Sequence, residues 1–355
     1  MAGTEINNQG RAVRPGEELD WEALDEALKK AIPGLRGEPV VSQFPGGNSN
    51  LTYRLQYADG DLVVRRPPVG TKASSAHSMI REYRIMSGLK PGYPAVPETL
   101  YYSDDASIIG SEFYVMRRVE GAVIRKVLPA QWQLGTADIR HLCTRFWEKL
   151  IELHQVNVVD AGLEDFGRAD GYVERQVLGW NGRYQRVTTP DVDPFADVQE
   201  WLKAHMPVDS GRQSILHGDY RIDNVVLDHE RPHDILAVLD WEISALGDPL
   251  MDLGSSLAYW MQPDDPAELR GLSMQPSMVP GMLTRKEILA LYQDRTGVET
   301  GDFDFYLVFG YWRIAVILQQ IYYRYFNGQT SDQRFAGFGR AVQSLGVHCQ
   351  QLIAG

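Results

Sequence analysis

Hydrophobic and polar positions along the chain change period several times. Trp21, Leu24, Leu28 and Ile32 recur at helical spacing behind Asp20, a capping residue, and Pro33-Gly34 ends the run, so a short helix is predicted. The period then drops to that of strands. Residues 39–44, 50–57 and 62–66 are short β-rich runs, with Ala58-Asp59-Gly60 as a tight turn between the last two. A glycine-rich loop, Pro45-Gly46-Gly47-Asn48-Ser49-Asn50, joins the first two. Pro67-Pro68 closes the hairpin, and a helix follows over roughly 73–89 with Met79, Tyr83 and Met86 on one face and Glu82 at its edge. Residues 99–103 and 112–119 complete a five-stranded antiparallel pattern. Beyond Gly121 the pattern is mainly helical: Ile139, Leu142, Phe146, Leu150 and Leu153 keep i, i+3, i+4 spacing, as do stretches near 195–205 and 303–326. Thr284 and Glu287 form a T-x-x-E capping box opening another helix. One island of strand, 215–216, 225–227 and 235–239, interrupts these helices. The expected architecture is α+β with an N-terminal extension and helix over 1–38, a small antiparallel-sheet lobe over 39–118, and a larger, mainly helical lobe over 119–355.

A length of 355 residues suits two lobes, each with its own core. Hydrophobic residues at 44% and charged residues at 23% describe a folded globular chain. The formal net charge of −12 argues against a nucleic-acid partner, which needs a concentrated basic surface, though one basic pocket for a small anion fits within an acidic protein. Two cysteines, Cys143 and Cys349, make no disulfide framework; they fit a reducing compartment, a single long-range bridge being the alternative. No apolar run reaches the roughly 20 residues of a membrane helix, and residues 1–18 lack the apolar centre of a signal peptide. A cytoplasmic, soluble chain with no membrane partner is the expectation.

The strand island carries the densest polar chemistry: His217-Gly218-Asp219-Tyr220-Arg221-Ile222-Asp223-Asn224, then Val225-Val226-Leu227, then Leu239-Asp240-Trp241-Glu242. A carboxylate and a carboxamide five residues apart at a strand-loop-strand junction can face one cleft, and Asp240 ends the next strand. Three such oxygen donors suit Mg²⁺, which takes few protein ligands plus substrate phosphates. Loop-filling turn chemistry is the alternative for any one of them alone.

These residues resemble the aminoglycoside phosphotransferase family, which shares the two-lobed protein-kinase-like fold. H-G-D-x-x-x-x-N at 217–224 is similar to its catalytic loop, Leu239-Asp240-Trp241 to the kinase D-F-G, and 247–253 to its G-D-P-x-x-D-L segment. Residues 46–53 resemble its phosphate-covering loop, Val63-Val64-Arg65-Arg66-Pro67-Pro68 its third strand, and Phe113-Tyr114-Val115-Met116 through Gly121 its hinge. The strings G-G-x-S-N-L-T-Y, V-x-R-x-P-P and F-Y-V-M are similar to the kinase-like domain associated with acyl-CoA dehydrogenases. The resemblance implies a transferase using ATP and Mg²⁺ to phosphorylate a hydroxyl of a small metabolite, a hydroxyacyl-CoA or related hydroxy acid first and an aminoglycoside second. A functional association with an acyl-CoA dehydrogenase is also implied, and a nucleotide-binding pseudokinase regulating a partner is the rival class.

Carried over by residue, the resemblance implies Asp219 as catalytic base or as the group orienting the acceptor hydroxyl, with Asn224 and Asp240 on Mg²⁺. Backbone N–H groups of Gly46, Gly47, Asn48, Ser49 and Asn50 would cradle phosphate, and Met116 to Val119 would line the adenine slot. The family usually has lysine where this chain has Arg65; an arginine fork can pair both phosphate and Glu82, and Arg66 is the alternative phosphate contact. Asp223 is the alternative to Asn224 beside the metal. Arg221 and Glu242 are candidate acceptor contacts, Arg221 having the alternative of pairing with a neighbouring acid. His217 reads as orienting the loop, Asp248 as a helix cap, Asp252 as a buried contact to backbone, and the late aromatic stripe around Phe305–Tyr325 as core packing.

Overall fold

The computed structural model describes residues 10–45, 50–68, 78–208 and 211–355. Within them the chain divides into two compact units, one drawn from 10–124, 156–166 and 223–244, the other from 125–155, 167–222 and 245–355.

The first unit opens with α1 (Trp21–Ala31), whose N-terminus is capped where the Asp20 carboxylate accepts from the Ala23 N–H. Five antiparallel strands follow: β1 (Val40–Gln43), β2 (Leu51–Gln56), β3 (Asp61–Arg66), β4 (Thr99–Ser103) and β5 (Phe113–Arg117), in spatial order β1-β2-β3-β5-β4. Alternation of β2 buries Leu51, Tyr53 and Leu55 on one face, where they meet Leu24 and Leu28 of α1 and Leu62, Val64, Phe113 and Val115. The helix α2 (Met79–Leu89) packs against β4 and β5 and buries Met79, Glu82, Ile85, Met86 and Leu89. A one-turn helix, α3 (Ala106–Ile109), sits between β4 and β5; four residues are too few for a periodic signal, and the sequence pattern misses it. Residues 73–77 of the expected helix over roughly 73–89 lie outside the described residues. A late hairpin, Val225–Leu227 with Ile235–Val238, completes this unit, and its edge pairs with Ala122.

The second unit is helical: α4 (Thr136–His154), α5 (Tyr172–Gln185), α6 (Ala196–Ala204), α7 (Pro249–Ala258), α8 (Ala267–Arg270), α9 (Arg285–Thr296), α10 (Asp304–Phe326) and α11 (Phe338–Ile353), with a two-stranded ladder of Ser214–Leu216 and Ala245–Gly247. The aromatic stripe of α10 is core, with Phe305, Tyr306, Phe309, Tyr311, Trp312 and Tyr322 buried. α10 packs on α7 and α11. Glycines let α7 and α10 approach backbone to backbone: a Cβ on Gly254 would lie 2.5 Å from the Tyr306 carbonyl, and one on Gly310 2.5 Å from the Gly254 carbonyl. Cys143 and Cys349 are both free and buried, so no bridge links them, and burial pushes the Cys143 thiol up to about 12. Among the described residues no helix is long and apolar enough to cross a membrane.

Candidate functional site

The hairpin of the first unit sets two candidate ligands side by side. Val225 opposes Val238 in its register, and the Leu239 N–H donates to the Asn224 carbonyl at 2.7 Å, so Asn224 and Asp240 flank the same end of the ladder. Asn224 closes a 3₁₀ turn (Ile222–Asn224) and is 9% exposed. Asp240 follows the strand with φ +66°, a left-handed conformation that costs a non-glycine residue about 1 kcal/mol and is concentrated at functional positions.

Arg65 of β3 meets this end of the hairpin. Its Nη2 donates to Asp240 Oδ1 and to Glu242 Oε2, both at 3.0 Å, and its Nε lies 3.4 Å from Glu82 Oε2. Asn50, fully buried at the start of β2, donates its Nδ2 to Glu82 and to Glu242, each at 3.1 Å. The Tyr114 hydroxyl of β5 donates to Glu82 at 2.9 Å. Burial works against the Arg65 charge, but Glu82, Tyr114, Asp240 and Glu242 outweigh it and hold the guanidinium protonated beyond its ordinary value. Burial drives the Glu82 carboxyl upward, against the opposing pull of Arg65 and the tyrosine hydroxyl. Arg66 points to the other face of β3, as strand alternation requires, where it donates to the carbonyls of Pro67 and Ile109 at 3.1 and 2.9 Å. Arg65, not Arg66, therefore shares a site with Glu82 and Asp240.

Asp219 is built by the second unit. Gly218 adopts φ +85°, and the N–H groups of His217 and Gly218 donate to the two oxygens of Asp252 at 2.7 and 2.9 Å. The Asp219 N–H donates to His217 Nδ1 at 3.2 Å, the Tyr220 hydroxyl to the Phe146 carbonyl at 2.5 Å, and the Ile222 N–H to the Gln275 side chain at 2.8 Å. Tyr220 stacks on Phe146 with ring centroids 4.6 Å apart. The loop is thus fixed from outside by Asp252, Phe146 and Gln275, and Asp248 caps α7 by accepting from the Leu250 N–H at 2.8 Å. Burial opposes the Asp252 charge, yet His154, His217 and the backbone donors hold its carboxyl below the usual range. Arg221 Nε lies 3.4 Å from Asp219 Oδ1 and its guanidinium stacks 5.1 Å from the Tyr259 ring centroid, so it pairs with the neighbouring acid.

Met116 is the penultimate residue of β5, half-buried and opposite Val63 and Thr99, and Val119 lies two residues past that strand. Gly46, Gly47, Asn48 and Ser49 lie outside the described residues. Sequence reasoning missed Asn50's link between Glu82 and Glu242, the tyrosine on Glu82, and Gln275; none has a local signature, since each acts through a partner distant in sequence. As a donor set for Mg²⁺, Asn224 and Asp240 fit by chemistry: both offer hard oxygens at one ladder end. Among the described residues no group of three or more His, Cys, Asp or Glu is arranged to hold a metal by itself.

The five-stranded sheet and the mainly helical unit make a two-lobed α+β fold of the protein-kinase-like class, shared with solved aminoglycoside and macrolide phosphotransferases. A family model described as the phosphotransferase enzyme family (APH) matches residues 40–287, and the chain belongs to that family. Acyl-CoA dehydrogenase family member 10 of Mus musculus is 35% identical over 94% of this chain, and member 11 of Homo sapiens 32% identical over 94%. The chain spans 31% and 43% of the length of those two relatives. A Ralstonia eutropha protein assigned to the aminoglycoside phosphotransferases superposes with a TM-score of 0.82 at 31% identity, covering 94% of this chain and 98% of that one. A mutant of aminoglycoside phosphotransferase APH(4)-Ia in complex with AMP-PNP and hygromycin B superposes at 0.58 with 14% identity, covering 94% and 99%, a likeness of fold.

Proposed function

We propose that the chain is an ATP- and Mg²⁺-dependent phosphotransferase that moves a γ-phosphate to a hydroxyl of a small metabolite, a hydroxyacyl-CoA or related hydroxy acid, in the cytoplasm. The observation that carries this reading is the cross-strand pairing of Asn224 with the residue before Asp240, within a chain whose family match spans 40–287. Asp219 accepts or orients the acceptor hydroxyl proton, and the loop around it is held rigid enough to keep that carboxylate in one place. Arg65 supplies a permanent positive charge for phosphate. Asn224 and Asp240 hold Mg²⁺, which when bound offsets negative charge on the phosphates. Residues 39–118 then carry the nucleotide, with Gly46–Asn50 over phosphate and Met116 and Val119 beside adenine, and residues 119–355 carry the acceptor. The acyl-CoA preference, and a working association with an acyl-CoA dehydrogenase, rest on the names of the relatives. The Ralstonia likeness favours an aminoglycoside acceptor as the second reading.

The test is transfer of labelled γ-phosphate from Mg-ATP to a panel of hydroxyacyl-CoAs, hydroxy acids and aminoglycosides. Asp219→Ala is expected to lower kcat by about 10²- to 10⁴-fold with little change in stability. Unchanged transfer by that variant defeats the mechanism. Nucleotide binding with no transfer to any acceptor points to a regulatory pseudokinase.

A further inference from the structure

Arginines gather around one indole of the second unit. Arg183 of α5 and Arg313 of α10 both stand over Trp180, their guanidinium carbons 4.3 and 5.4 Å from its ring centroid. The two cations are therefore no farther apart than those distances combined. Arg186, at the C-terminal cap of α5, adds a third positive charge. Burial first, then Arg313 and Arg186, lower the Arg183 guanidinium from its ordinary value, so both neighbouring charges reach it. In a chain of formal net charge −12, this is a local concentration of the opposite sign.

A second observation concerns partners. Arg313 is only 9% exposed, yet among the described residues no acid pairs with it and no acceptor takes a hydrogen bond from it; the same is true of Arg183. Buried cations are ordinarily paired, and a ring face attracts the charge without occupying its N–H groups. Arg285 of the same unit keeps that rule, donating to both oxygens of Asp265 at 2.8 and 2.5 Å. A patch kept for solubility would leave its cations in water, and Arg313 is not in water. Two guanidinium forks with unused donors suit the oxygens of a phosphate. Tyr172, at the start of α5, links this group to the Asp219 loop. Its ring covers Gly247, where a Cβ would lie 2.5 Å away; burial and then Asp252 raise its hydroxyl, and Arg313 opposes them. Asp252 is the residue that receives the N–H groups of His217 and Gly218.

We propose that Arg183, Arg313 and Trp180 form a seat for an organic phosphate. This rests on the phosphotransferase reading above and deepens its account of the acceptor. The phosphates at the nucleotide end of an acyl-CoA fit the seat, a free hydroxy acid leaves it empty, and a polycationic aminoglycoside is repelled by it. A free phosphate ester is the other source of the same chemistry.

The experiment titrates coenzyme A and inorganic pyrophosphate separately, by calorimetry, into the intact 355-residue chain saturated with Mg-AMP-PNP. Arg183→Gln and Arg313→Gln are each expected to weaken coenzyme A at least about tenfold, the worth of one charged hydrogen bond, while AMP-PNP affinity stays within about twofold. Pyrophosphate that weakens in both variants while coenzyme A is indifferent to them upholds the seat and assigns it to a free phosphate ester. If neither probe responds to either substitution, the seat is overturned. Should Arg313→Gln fail to fold, Arg183→Gln, at an exposed position, decides alone by the same criteria. Transfer of labelled phosphate by the same preparations separates the two levels. Transfer that persists without a seat leaves the phosphotransferase reading standing; arginine-dependent binding in a chain that transfers to no acceptor upholds the seat and removes that reading.

Discussion

Arg65, its side chain 13% exposed, and Asp252, fully buried, each sit at the centre of a polar cluster, and they are satisfied in opposite ways. Around Arg65, every partner is a movable side chain: Glu82, Asp240 and Glu242, with Asn50 and Tyr114 behind them. Around Asp252, two of the three donors are backbone N–H groups of the loop that carries Asp219, and the third is His154, itself 2.9 Å from the Tyr292 hydroxyl. A charge held by side chains can exchange one partner for another, because rotamers move without refolding the chain. A charge held by backbone donors fixes the chain itself. The first cluster has the physics of a site that changes ligands, the second that of a scaffold that must not change.

The comparison breaks most visibly at Arg65. Removing the cation in Arg65→Met takes a shared partner from three carboxylates, and breaking a buried pair from one side typically costs about 3–5 kcal/mol. Chemical denaturation in EDTA should show a loss of that order. Because the partners are side chains that can turn toward another cation, millimolar Mg²⁺ should restore part of it. No recovery would mean that the cluster is as rigid as the other one. Asp252→Asn comes next. One of its oxygens becomes a donor facing an N–H or an imidazole, for an expected loss of about 2–3 kcal/mol that Mg²⁺ leaves unchanged. The pH dependence sharpens this. The folded carboxyl of Asp252 titrates below its unfolded value of 3.8, so its contribution is fully present above that pH and fades as pH falls through the folded value. Asp252→Asn should therefore flatten the acid limb of the stability profile below about pH 4. An unaltered acid limb would remove Asp252 from the scaffold.

The legibility of these two regions from sequence differs for the same reason. Short-range pattern exposes whatever is encoded locally: the alternation of β2 and β3, the α1 cap at Asp20, the capping box at Thr284, and the spacing of Asp219 from Asn224. Strand alternation also separates Arg65 from Arg66, because neighbouring side chains must lie on opposite faces. What stays hidden is encoded by distance. Asn50 meets Glu242 across 192 positions, and Gly218 meets Asp252 across 34. The G-D-P-x-x-D-L string marks Asp252 as buried, but nothing local says that its two oxygens receive consecutive N–H groups. The glycines of α7 and α10 give no periodic signal either, since their role is the absence of a side chain where two helix backbones meet.

The smallest effect calibrates both of the buried ones. Glu287 is also an ionised acid with backbone and cation partners, but solvent reaches 41% of its side chain. It accepts from the Thr284 N–H at 2.8 Å and from the Thr284 hydroxyl at 3.0 Å, and it pairs with Arg140 at 2.6 Å. The backbone donor, more than the arginine, holds its carboxyl down at about 2, against an ordinary value of 4.5. A folded value below the unfolded one means that the stabilisation is complete above pH 4.5 and disappears as pH falls from there to about 2. Screening at an exposed site limits its size, so Glu287→Gln should cost only about 1 kcal/mol at pH 7 and nothing near pH 2. Because the leading donor is backbone, 1 M salt should weaken the Arg140 share and leave most of the cap intact. A Glu287 contribution that vanished in salt would make it an ion pair of the Arg65 kind. One that persists places it with Asp252, among charges held by the chain and not by other charges.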